Sequence, residues 1–398
     1  MKKNSITIDP LTFRDVDPGF RVLMGPGPSD VSARVLQALA APCIGHLDPT
    51  FLDIMDETQR LLQYVFQSEN PLTIPVSGTG SAGMEASFVN IIEPGDKVLV
   101  CVNGVFGTRM TDIVGRIGGE LIRLDFPWGR AVDPDVVRKK AKETNPTVIA
   151  VVHAETSTGA CSPLAQLSQV AEEVGALFLV DMVTSLGGMP ASVAENRIDV
   201  AYSGTQKCIS CPPGLSPLTM SQRALDKLKN RKSPVVSWYL DMGMIGSYWG
   251  KERKYHHTAP INMTYALREA LRIITEEGLE SRFARHKENH QALVGGIEAM
   301  GLSMLVPEKE RLPMLNAILI PEGADDMQVR STLLNKYQIE IGAGLGDLAG
   351  KVWRVGLMGD SCTRRNVFLF LGALYVILKQ MGCHVNPGYL EAAAAMYE

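Results

Sequence analysis

The sequence lacks a long hydrophobic run. Its longest apolar stretch, 367–378, is shorter than the roughly 20 residues that a membrane-spanning helix needs, so it predicts a buried helix. Basic residues occur at the N-terminus, but no apolar region follows them in 1–7, and we expect no secretory signal. The last four residues are not a peroxisomal address. These features predict a cytoplasmic protein with no membrane partner.

The sequence also lacks a marked excess of either charge. It has 39 Lys and Arg residues against 43 Asp and Glu residues, and the net charge is -4. This slightly acidic balance argues against a nucleic-acid partner. With 398 residues and 45% hydrophobic content, the chain is large enough for two domains with substantial cores.

The sequence also lacks the patterns that predict a disulfide framework or a metal site. The seven cysteines are an odd number and are scattered, so we expect no set of disulfides. Cys208 and Cys211 form one CxxC pair without a second pair or suitably spaced histidines, and their role stays open. His286 and His290 do not match the HExxH metalloprotease pattern, and we interpret them as solvated helix residues. No metal is predicted.

What the sequence does contain is a regular alternation of apolar runs and helical patterns. Continuous apolar runs at 98–100, 148–152 and 177–180 are typical of strands buried on both faces. Helical patterns separate them, which predicts an α/β fold with a mainly parallel sheet between helices. Ligands of such sheets bind beyond the carboxyl ends of the strands.

The C-terminal part predicts a second, smaller α/β domain. A strongly helical stretch at 265–300 bridges the two parts, and 342–350 carries four glycines and predicts a flexible loop. Strands are expected near 316–320 and 351–355, with helices at 327–337 and 364–381. We divide the chain into an N-terminal extension, a large domain and a small C-terminal domain, at 1–22, 23–283 and 284–398.

Polar side chains follow the predicted strands of the large domain where each strand ends. Asp181 directly follows four apolar residues, so its carboxylate is expected to be buried and to need a cation or donors. Lys207 has no charged neighbour between Val200 and Thr219, and desolvation would lower its pKa and free a nucleophilic amine. From this stretch alone, an ordinary loop lysine is an equally good interpretation.

Two glycine-rich segments add to this picture. The run Ser-Gly-Thr-Gly-Ser at 77–81 precedes a helix at 82–92 and suits an anion, although it matches neither the Walker loop nor the GxGxxG fingerprint. A plain strand–helix turn is equally compatible. The Gly-Pro-Gly-Pro motif at 25–28 is either a turn or a close approach of backbone to a ligand. Ser29 is expected to cap a helix that extends to about Ala41.

Together the strand ends offer what pyridoxal phosphate requires. The lysine forms a Schiff base, and the aspartate keeps the pyridine nitrogen protonated so that the ring can accept electrons. The glycine-rich turn holds the phosphate, and an aromatic side chain, Phe106, stacks on the ring. We therefore predict pyridoxal 5'-phosphate as the cofactor.

The order of these motifs resembles that of the class V, fold-type I aminotransferases, and within them the alanine–glyoxylate (serine–pyruvate) branch. The resemblance extends from about Arg21 to Met381, and it implies a large domain built on a seven-stranded sheet. The motifs that carry it, in chain order, are Gly-Pro-Gly-Pro, Ser-Gly-Thr-Gly, Glu-Thr-Ser-Thr-Gly, Asp181, Ser-Gly-Thr-Gln-Lys and Tyr-His-His-Thr.

The resemblance implies a role for each of several residues. Lys207 would be the Schiff-base lysine and proton carrier, and Asp181 the pyridinium partner. The positions on the phosphate side would be Thr79, Gly80, Ser81 and Gln206, and Thr156 would bond to the ring oxygen. Tyr255 and Thr258 would reach the phosphate of the neighbouring subunit. Gly27, Thr156 and Arg354 would bind the substrate, and Arg354 would clamp its carboxylate. These assignments imply a homodimer with shared active sites.

Two positions depart from the mammalian members of the resembled branch. Phe106 stands where they have tryptophan over the ring, and Ser81 stands where they have histidine. Neither change removes a chemical role, but both leave the substrate preference open.

The implied reaction is a ping-pong transfer of an amino group from a small amino acid, alanine or also serine, to glyoxylate or a similar small 2-oxo acid. Serine–glyoxylate and ureidoglycine–glyoxylate transaminases are the alternatives, since every motif would be the same. A cysteine desulfurase or lyase would need a reactive thiol, and Cys362 is interpreted as a residue at a helix start. A non-catalytic scaffold is disfavoured because Lys207, Asp181 and Arg354 are all present.

Overall fold

The computed structural model describes residues 15–398. Most of the predicted N-terminal extension, including the segment 1–7 in which we expect no secretory signal, therefore lies outside the described residues. The strands are β1 (Val22–Leu23), β2 (Leu72–Ser77), β3 (Lys97–Val102), β4 (Glu120–Asp125), β5 (Val148–Val152), β6 (Ala154–Glu155), β7 (Ala160–Cys161), β8 (Leu177–Asp181), β9 (Val200–Tyr202), β10 (Leu215–Met220), β11 (Leu315–Leu319), β12 (Ile339–Glu340), β13 (Gly342–Ala343) and β14 (Val352–Gly356).

The helices lie between and after these strands. They are α1 (Ala33–Leu39), α2 (Pro49–Phe66), α3 (Gly80–Ile91), α4 (Val105–Arg116), α5 (Pro134–Thr144), α6 (Leu164–Glu173), α7 (Gln222–Lys229), α8 (Met242–Trp249), α9 (Ile261–Glu277), α10 (Leu279–Ala299), α11 (Asp326–Tyr337), α12 (Arg364–Gln380) and α13 (Tyr389–Ala394). Local signals explain many of their limits. For example, Asp133 caps α5, and Pro134 occupies its first turn.

A seven-stranded sheet forms the centre of the large part of the molecule, in the order β2-β10-β9-β8-β5-β3-β4. All neighbours pair in parallel except β10, which is antiparallel to both β2 and β9. The prediction of a mainly parallel sheet is confirmed.

Alternate residues of each central strand enter two separate hydrophobic cores. In β5, Ile149 and Val151 pack into one core, whereas Val148 and Ala150 pack into the core on the opposite face. This is the two-sided burial that a continuous apolar run predicts. Because both faces are covered, the strand ends are where polar groups can gather.

A smaller sheet, β11-β14-β13, is packed against helices of the C-terminal part. The apolar stretch 367–378 lies within α12, whose inward face is buried, as predicted. The segment 342–350 differs from the prediction of a flexible loop, since its first residues form β13 and pair with β14. A strand of two residues, one of them glycine, is too short to leave a hydrophobic pattern in the sequence.

The long helical stretch 265–300 consists of two helices rather than one. Gly278 has a φ of 79°, a left-handed value that glycine adopts at little cost, and it separates α9 from α10. Across the residues that the structure describes, no helix has the length and apolar character needed to cross a membrane.

The start of α1 also differs from the prediction. Ser32, not Ser29, is its N-cap, and its side chain accepts a hydrogen bond from the backbone amide of Val35. Ser29 is buried elsewhere. Both serines precede the same apolar stripe, so sequence spacing alone did not decide between them.

Candidate active site

A cavity of about 210 Å³ lies where β8 and β9 end and where α3 and α4 begin. Its lining comprises Thr79, Gly80, Ser81, Met84, Phe106, Arg109, Asp181, Val183, Gln206 and Lys207. Seven of these residues were predicted as site residues from the sequence. Larger cavities occur elsewhere, including one of about 410 Å³ without a cationic side chain and one of about 450 Å³ lined by Lys287, His290 and Arg311, but neither combines a buried lysine with a buried aspartate. The chemistry of the lining, not its volume, therefore identifies the site.

Lys207 is a buried amine without an acidic partner. Its side chain is 8% exposed, and no ion pair among the described residues includes it. Its Nζ donates a hydrogen bond to the carbonyl of Pro26, and Gly27 lies so close that a Cβ there would be 2.5 Å from Nζ. Burial, and then the charge of Arg354, lower the pKa of Lys207 to about 8. A substantial fraction of the amine is therefore neutral near physiological pH.

The N-terminal Gly-Pro-Gly-Pro-Ser segment fixes the backbone that carries this lysine. Ser29 Oγ donates to the carbonyl of Lys207 at 2.7 Å, and the amide of Ser29 donates to the carbonyl of Gln206 at 2.9 Å. Ser29 Oγ also lies 3.1 Å from Ser210 Oγ. The serine expected to cap a helix instead holds the lysine loop in place.

Asp181 ends β8 with its carboxylate in the cavity lining. Oδ1 accepts from the amide of Val183 at 2.8 Å, and Oδ2 accepts from the hydroxyl of Tyr202 at 2.7 Å. Burial outweighs both hydrogen bonds and raises the pKa of Asp181 to about 7. Both partners are neutral, so a cation placed against this carboxylate would stabilise its charged form. A protonated pyridine nitrogen is such a cation.

Arg354, on β14, is a second buried cation. It is 7% exposed, and none of the ion pairs between described residues involves it. Nε donates to the carbonyl of Ala343 at 2.6 Å, and Nη1 donates to the carbonyl of Thr156 at 3.1 Å. Burial lowers its pKa to about 10. Two neutral carbonyls orient the guanidinium but leave its charge for an anion to balance.

The phosphate-side positions meet at the first turn of α3. Thr79 is the N-cap of this helix but makes no side-chain capping bond, and Gly80 and Ser81 follow it. Exposed amides at a helix N-terminus favour an anion. Gln206 lines the same cavity, and its side-chain NH2 group can donate to a phosphate oxygen. These features fit the phosphate of pyridoxal phosphate.

Tyr255 and Thr258 lie outside this cavity in the single chain. Tyr255 is 54% exposed, and its hydroxyl lies 3.3 Å from Thr258 Oγ1. The preceding segment exposes Val236, Trp238 and Tyr239 as well. The structure thus brings together the predicted residues around Lys207 but leaves these two on an apolar surface.

A chain of hydrogen bonds connects this outer segment to the end of β2. Ser77 Oγ lies 3.0 Å from His257 Nε2, and the Nδ1 atoms of His257 and His256 are 2.7 Å apart. His256 Nε2 lies 3.1 Å from the carbonyl of Trp238. Ser77 immediately precedes the glycine-rich turn, so the chain joins the outer segment to the phosphate side of the cavity.

Two polar residues of the site were not predicted. Glu155 is fully buried, and its carboxylate accepts from the amide of Phe106 at 3.1 Å and from Ser157 Oγ at 2.5 Å. Tyr202 is fully buried beside Asp181. Tyr202 ends the apolar strand β9, which is a signal like that of Asp181, whereas the polar His153 separates Glu155 from the apolar run of β5.

The histidines at 286 and 290 correct another prediction. His286 is not solvated: it is fully buried, and its Nε2 accepts from the amide of Gly359 at 3.0 Å. His290 is partly buried, with Nδ1 2.7 Å from Asn316 Oδ1. Within 15–398, no cluster of three or more His, Cys, Asp or Glu residues could hold a metal ion.

The cysteines near the site are buried free thiols. Burial raises the pKa of Cys208, Cys211 and Cys362 to about 12. Because the thiolate is the nucleophile, these groups are unreactive in their present surroundings. This chemistry does not fit a desulfurase.

Comparison with known proteins agrees with the geometry. Residues 33–357 match the family model "Aminotransferase class-V". The chain is 39% identical to (S)-ureidoglycine–glyoxylate transaminase of Bacillus subtilis, over 97% of each chain. It is also 39% identical to alanine–glyoxylate aminotransferase of Callithrix jacchus, over 89% of this chain and 86% of the relative.

A solved structure gives the same result in three dimensions. The crystal structure of alanine–glyoxylate aminotransferase from Nostoc sp. superposes with a TM-score of 0.91 at 49% identity, covering 94% of this chain and all of that one. The family match, the two relatives and the polar strand ends agree: the chain belongs to the class-V aminotransferases and is an enzyme that uses pyridoxal phosphate.

Proposed function

We propose that this aminotransferase moves the amino group of a small amino acid, alanine or serine, to glyoxylate. The observation that carries the proposal is a set of three buried groups, the amine of Lys207, the carboxylate of Asp181 and the guanidinium of Arg354, none of which forms an ion pair with another described residue. The cofactor and an amino-acid substrate would supply the opposite charges at contact distance. Relatives named for glyoxylate support the choice of acceptor.

Lys207 performs the proton transfer in this proposal. Pyridoxal phosphate, when bound, supplies an electron-withdrawing ring that stabilises negative charge at the substrate Cα. Lys207 Nζ would hold the cofactor and, once displaced by the amino acid, would take the Cα proton. Its pKa of about 8 suits a base that works near neutral pH.

Asp181 and Arg354 act on opposite ends of the reacting molecules. Asp181 would hold a proton on the ring nitrogen, with its carboxylate fixed by Val183 and Tyr202. Arg354 would bind the substrate carboxylate with the part of its fork that the carbonyls of Ala343 and Thr156 leave free. Gly27, pressed against Lys207, limits the room beside the amine and favours a small side chain.

The amino donor is tested by steady-state turnover with glyoxylate as acceptor. Alanine, serine and (S)-ureidoglycine are compared at equal concentration, with formation of glycine as the common readout. We expect the highest kcat/KM for alanine or serine. No turnover of either would overturn the assignment, and turnover of (S)-ureidoglycine alone would favour the second candidate, which the relative from Bacillus subtilis supports.

We further propose a homodimer in which Tyr255 and Thr258 complete the phosphate site of the neighbouring chain. Their separation from the cavity and the exposed side chains of Val236 and Trp238 support this arrangement. The relevant experiment combines two inactive or weakened chains, Lys207→Ala and Tyr255→Ala, by co-expression.

The outcome depends on which chain supplies Tyr255. If it acts on the neighbouring site, each mixed dimer has one intact site, and random mixing restores about a quarter of wild-type sites. If Tyr255 serves its own chain, no intact site forms, and activity does not exceed that of the Tyr255→Ala homodimer. Light scattering of the purified protein gives the oligomeric state independently.

We also propose that the chain divides into two domains, 23–283 and 284–398, and that the protein is located in the cytoplasm. If the two parts are separate units, limited proteolysis is expected to cut near Gly278, between α9 and α10. Fractionation of cells that express the full chain tests the location.

A further inference from the structure

Glu155 holds the start of α4 through hydrogen bonds between two segments that are distant in the sequence. Its Oε2 accepts from the amides of Phe106 at 3.1 Å and Gly107 at 3.4 Å. Its Oε1 accepts from the amide of Ser157 at 3.1 Å and from Ser157 Oγ at 2.5 Å. Ser157 Oγ in turn accepts from the amide of Val105 at 3.0 Å. The first three amides of α4 are thus satisfied by two residues of the β6–β7 turn.

Helix α4 has no cap of its own that could do this. Its N-cap is Gly104, which has no side chain. A Cβ at Gly104 would lie 2.5 Å from the carboxyl carbon of Glu155 and 2.4 Å from Ser157 Oγ. Glycine is therefore required for the carboxylate to approach the helix, and the cap comes from a neighbouring strand instead.

The contacts are those of an ionised carboxylate. The amides of Phe106, Gly107 and Ser157 and the hydroxyl of Ser157 all donate to Glu155, and both carboxylate oxygens accept backbone N–H groups. Burial raises the pKa of Glu155, against which the four hydrogen bonds act. The positive end of the helix dipole adds to the stabilisation of this anion.

The residues held by this anion are those that face the cofactor. Phe106 lines the cavity, and on α4 its ring is contacted by the guanidinium of Arg109, whose Cζ lies 4.9 Å from the ring centroid. On the turn itself, Thr156 follows Glu155 and accepts from Arg354 at 3.1 Å. One carboxylate therefore ties the ring-stacking position to the carbonyl that orients the substrate arginine.

We propose that Glu155 is a positioning residue that sets the Phe106 ring against the cofactor by capping α4 from the β6–β7 turn. It touches neither substrate nor cofactor and acts through Phe106 and Thr156. The inference rests on the proposed placement of the cofactor beside Phe106 but not on the identity of the amino donor.

The test is Glu155→Gln in the cofactor-loaded protein. Glutamine has the same shape but only one acceptor oxygen, so either the α4 amides or Ser157 lose their acceptor. We expect hydrogen exchange to accelerate by about tenfold or more at the amides that lose their acceptor, either Phe106 and Gly107 or Ser157, in line with the loss of a helix cap. The visible circular dichroism of the bound cofactor should change at the same time, because that signal reports the stacking geometry of its ring.

Two further variants keep the experiment decisive. Glu173→Gln, at an exposed glutamate of α6, is the matched control and should alter neither signal. Ser157→Ala retains the carboxylate and removes the hydroxyl that accepts from Val105 and donates to Glu155, so it serves if Glu155→Gln does not fold. It should accelerate exchange at Val105 and shift the same circular dichroism band.

The outcomes separate the possible roles. Unchanged exchange and unchanged circular dichroism in Glu155→Gln would overturn the proposal. Faster exchange with an unchanged circular dichroism signal of the cofactor would show that Glu155 only caps the helix, and this result would also overturn the proposal. Failure of the wild-type protein to transaminate any tested donor would overturn the proposed function, yet both signals of the Glu155 test could still be read.

Discussion

The inner part of the site and its outer segment are built in different ways. Lys207, Asp181 and Arg354 are at most 8% exposed, and residues of the same chain orient each of them. In the outer segment, 236–258, Trp238 is 60% exposed and Tyr255 is 54% exposed. Exposed apolar surface next to a site marks an interaction surface. The groups expected to act on bonds are thus buried within one chain, whereas Tyr255 and Thr258, which are proposed to reach the phosphate of a neighbouring chain, are exposed.

The most severe test of the inner part is Lys207→Ala. Removing the only lysine of the cavity lining should lower amino transfer by about a thousandfold or more, since covalent attachment and proton transfer are both lost. The measurement is glycine formation from alanine and glyoxylate. Borohydride reduction should also no longer fix the cofactor to the chain. Lys139→Ala, at an exposed lysine of α5, is the control and should behave as wild type.

A smaller loss is expected when Asp181 keeps its shape but loses its charge. Asp181→Asn should lower kcat by about a hundredfold, because a neutral amide does not hold a proton on the ring nitrogen. Tyr202→Phe removes one hydrogen bond to the carboxylate and should cost about tenfold. Equal losses in the two variants would show that Tyr202 does more than orient Asp181.

The substrate arginine should affect binding more than the chemical step. Arg354→Lys keeps the positive charge but cannot form the bonds to both Ala343 and Thr156 while it binds a carboxylate. We expect KM for the amino donor to rise about thirtyfold with a small change in kcat. A change confined to kcat would argue that Arg354 does not bind the substrate carboxylate.

The buried amine also predicts how cofactor uptake depends on pH. The pKa of Lys207 is lowered to about 8, and only the neutral amine attacks an aldehyde, so the reactive fraction grows as pH rises through 8. Uptake by cofactor-free protein should accelerate about tenfold between pH 7 and pH 9, followed by the absorbance of the bound form. A rate that is flat over this range would mean that the amine is neutral throughout.

The smallest effect is expected in the outer segment. Tyr255→Phe removes one hydroxyl at an exposed position and should weaken cofactor binding only a few-fold, measured as the dissociation constant of the cofactor. The loss should occur in the dimer and not in a monomeric variant. A hundredfold loss of cofactor affinity, as large as the loss of kcat expected for Asp181→Asn, would remove the contrast between the inner part of the site and the outer segment.

Much of the fold and the centre of the site could be predicted from the sequence because burial leaves a continuous apolar pattern. The strands that end at Val152, Asp181 and Tyr202 are apolar up to their last residue, and parallel strands bring their ends to one edge. Glu155 lies beyond the polar His153, outside this apolar pattern, and its partners, the amides of α4, have no signature in the sequence.

Other features depend on contacts between distant parts of the chain. Ser29 could equally have been a helix cap, and only the approach of residues 207–210 decides its role. His286 has a polar pattern around it but is enclosed by Arg282 and the turn at Gly359. The antiparallel insertion of β10 between β2 and β9 has no local signal, because strand order is decided by the packing of the whole sheet.

The hydrogen-bond chain from Ser77 through both histidines to Trp238 has one direction when both rings are neutral. The carbonyl of Trp238 only accepts, so His256 Nε2 carries the hydrogen of that ring and His256 Nδ1 accepts. His257 Nδ1 then donates to His256, and His257 Nε2 accepts from the hydroxyl of Ser77. The tautomer of each ring is thus set by the contact at the far end of the chain, and the outer segment is attached to β2 with every ring nitrogen paired.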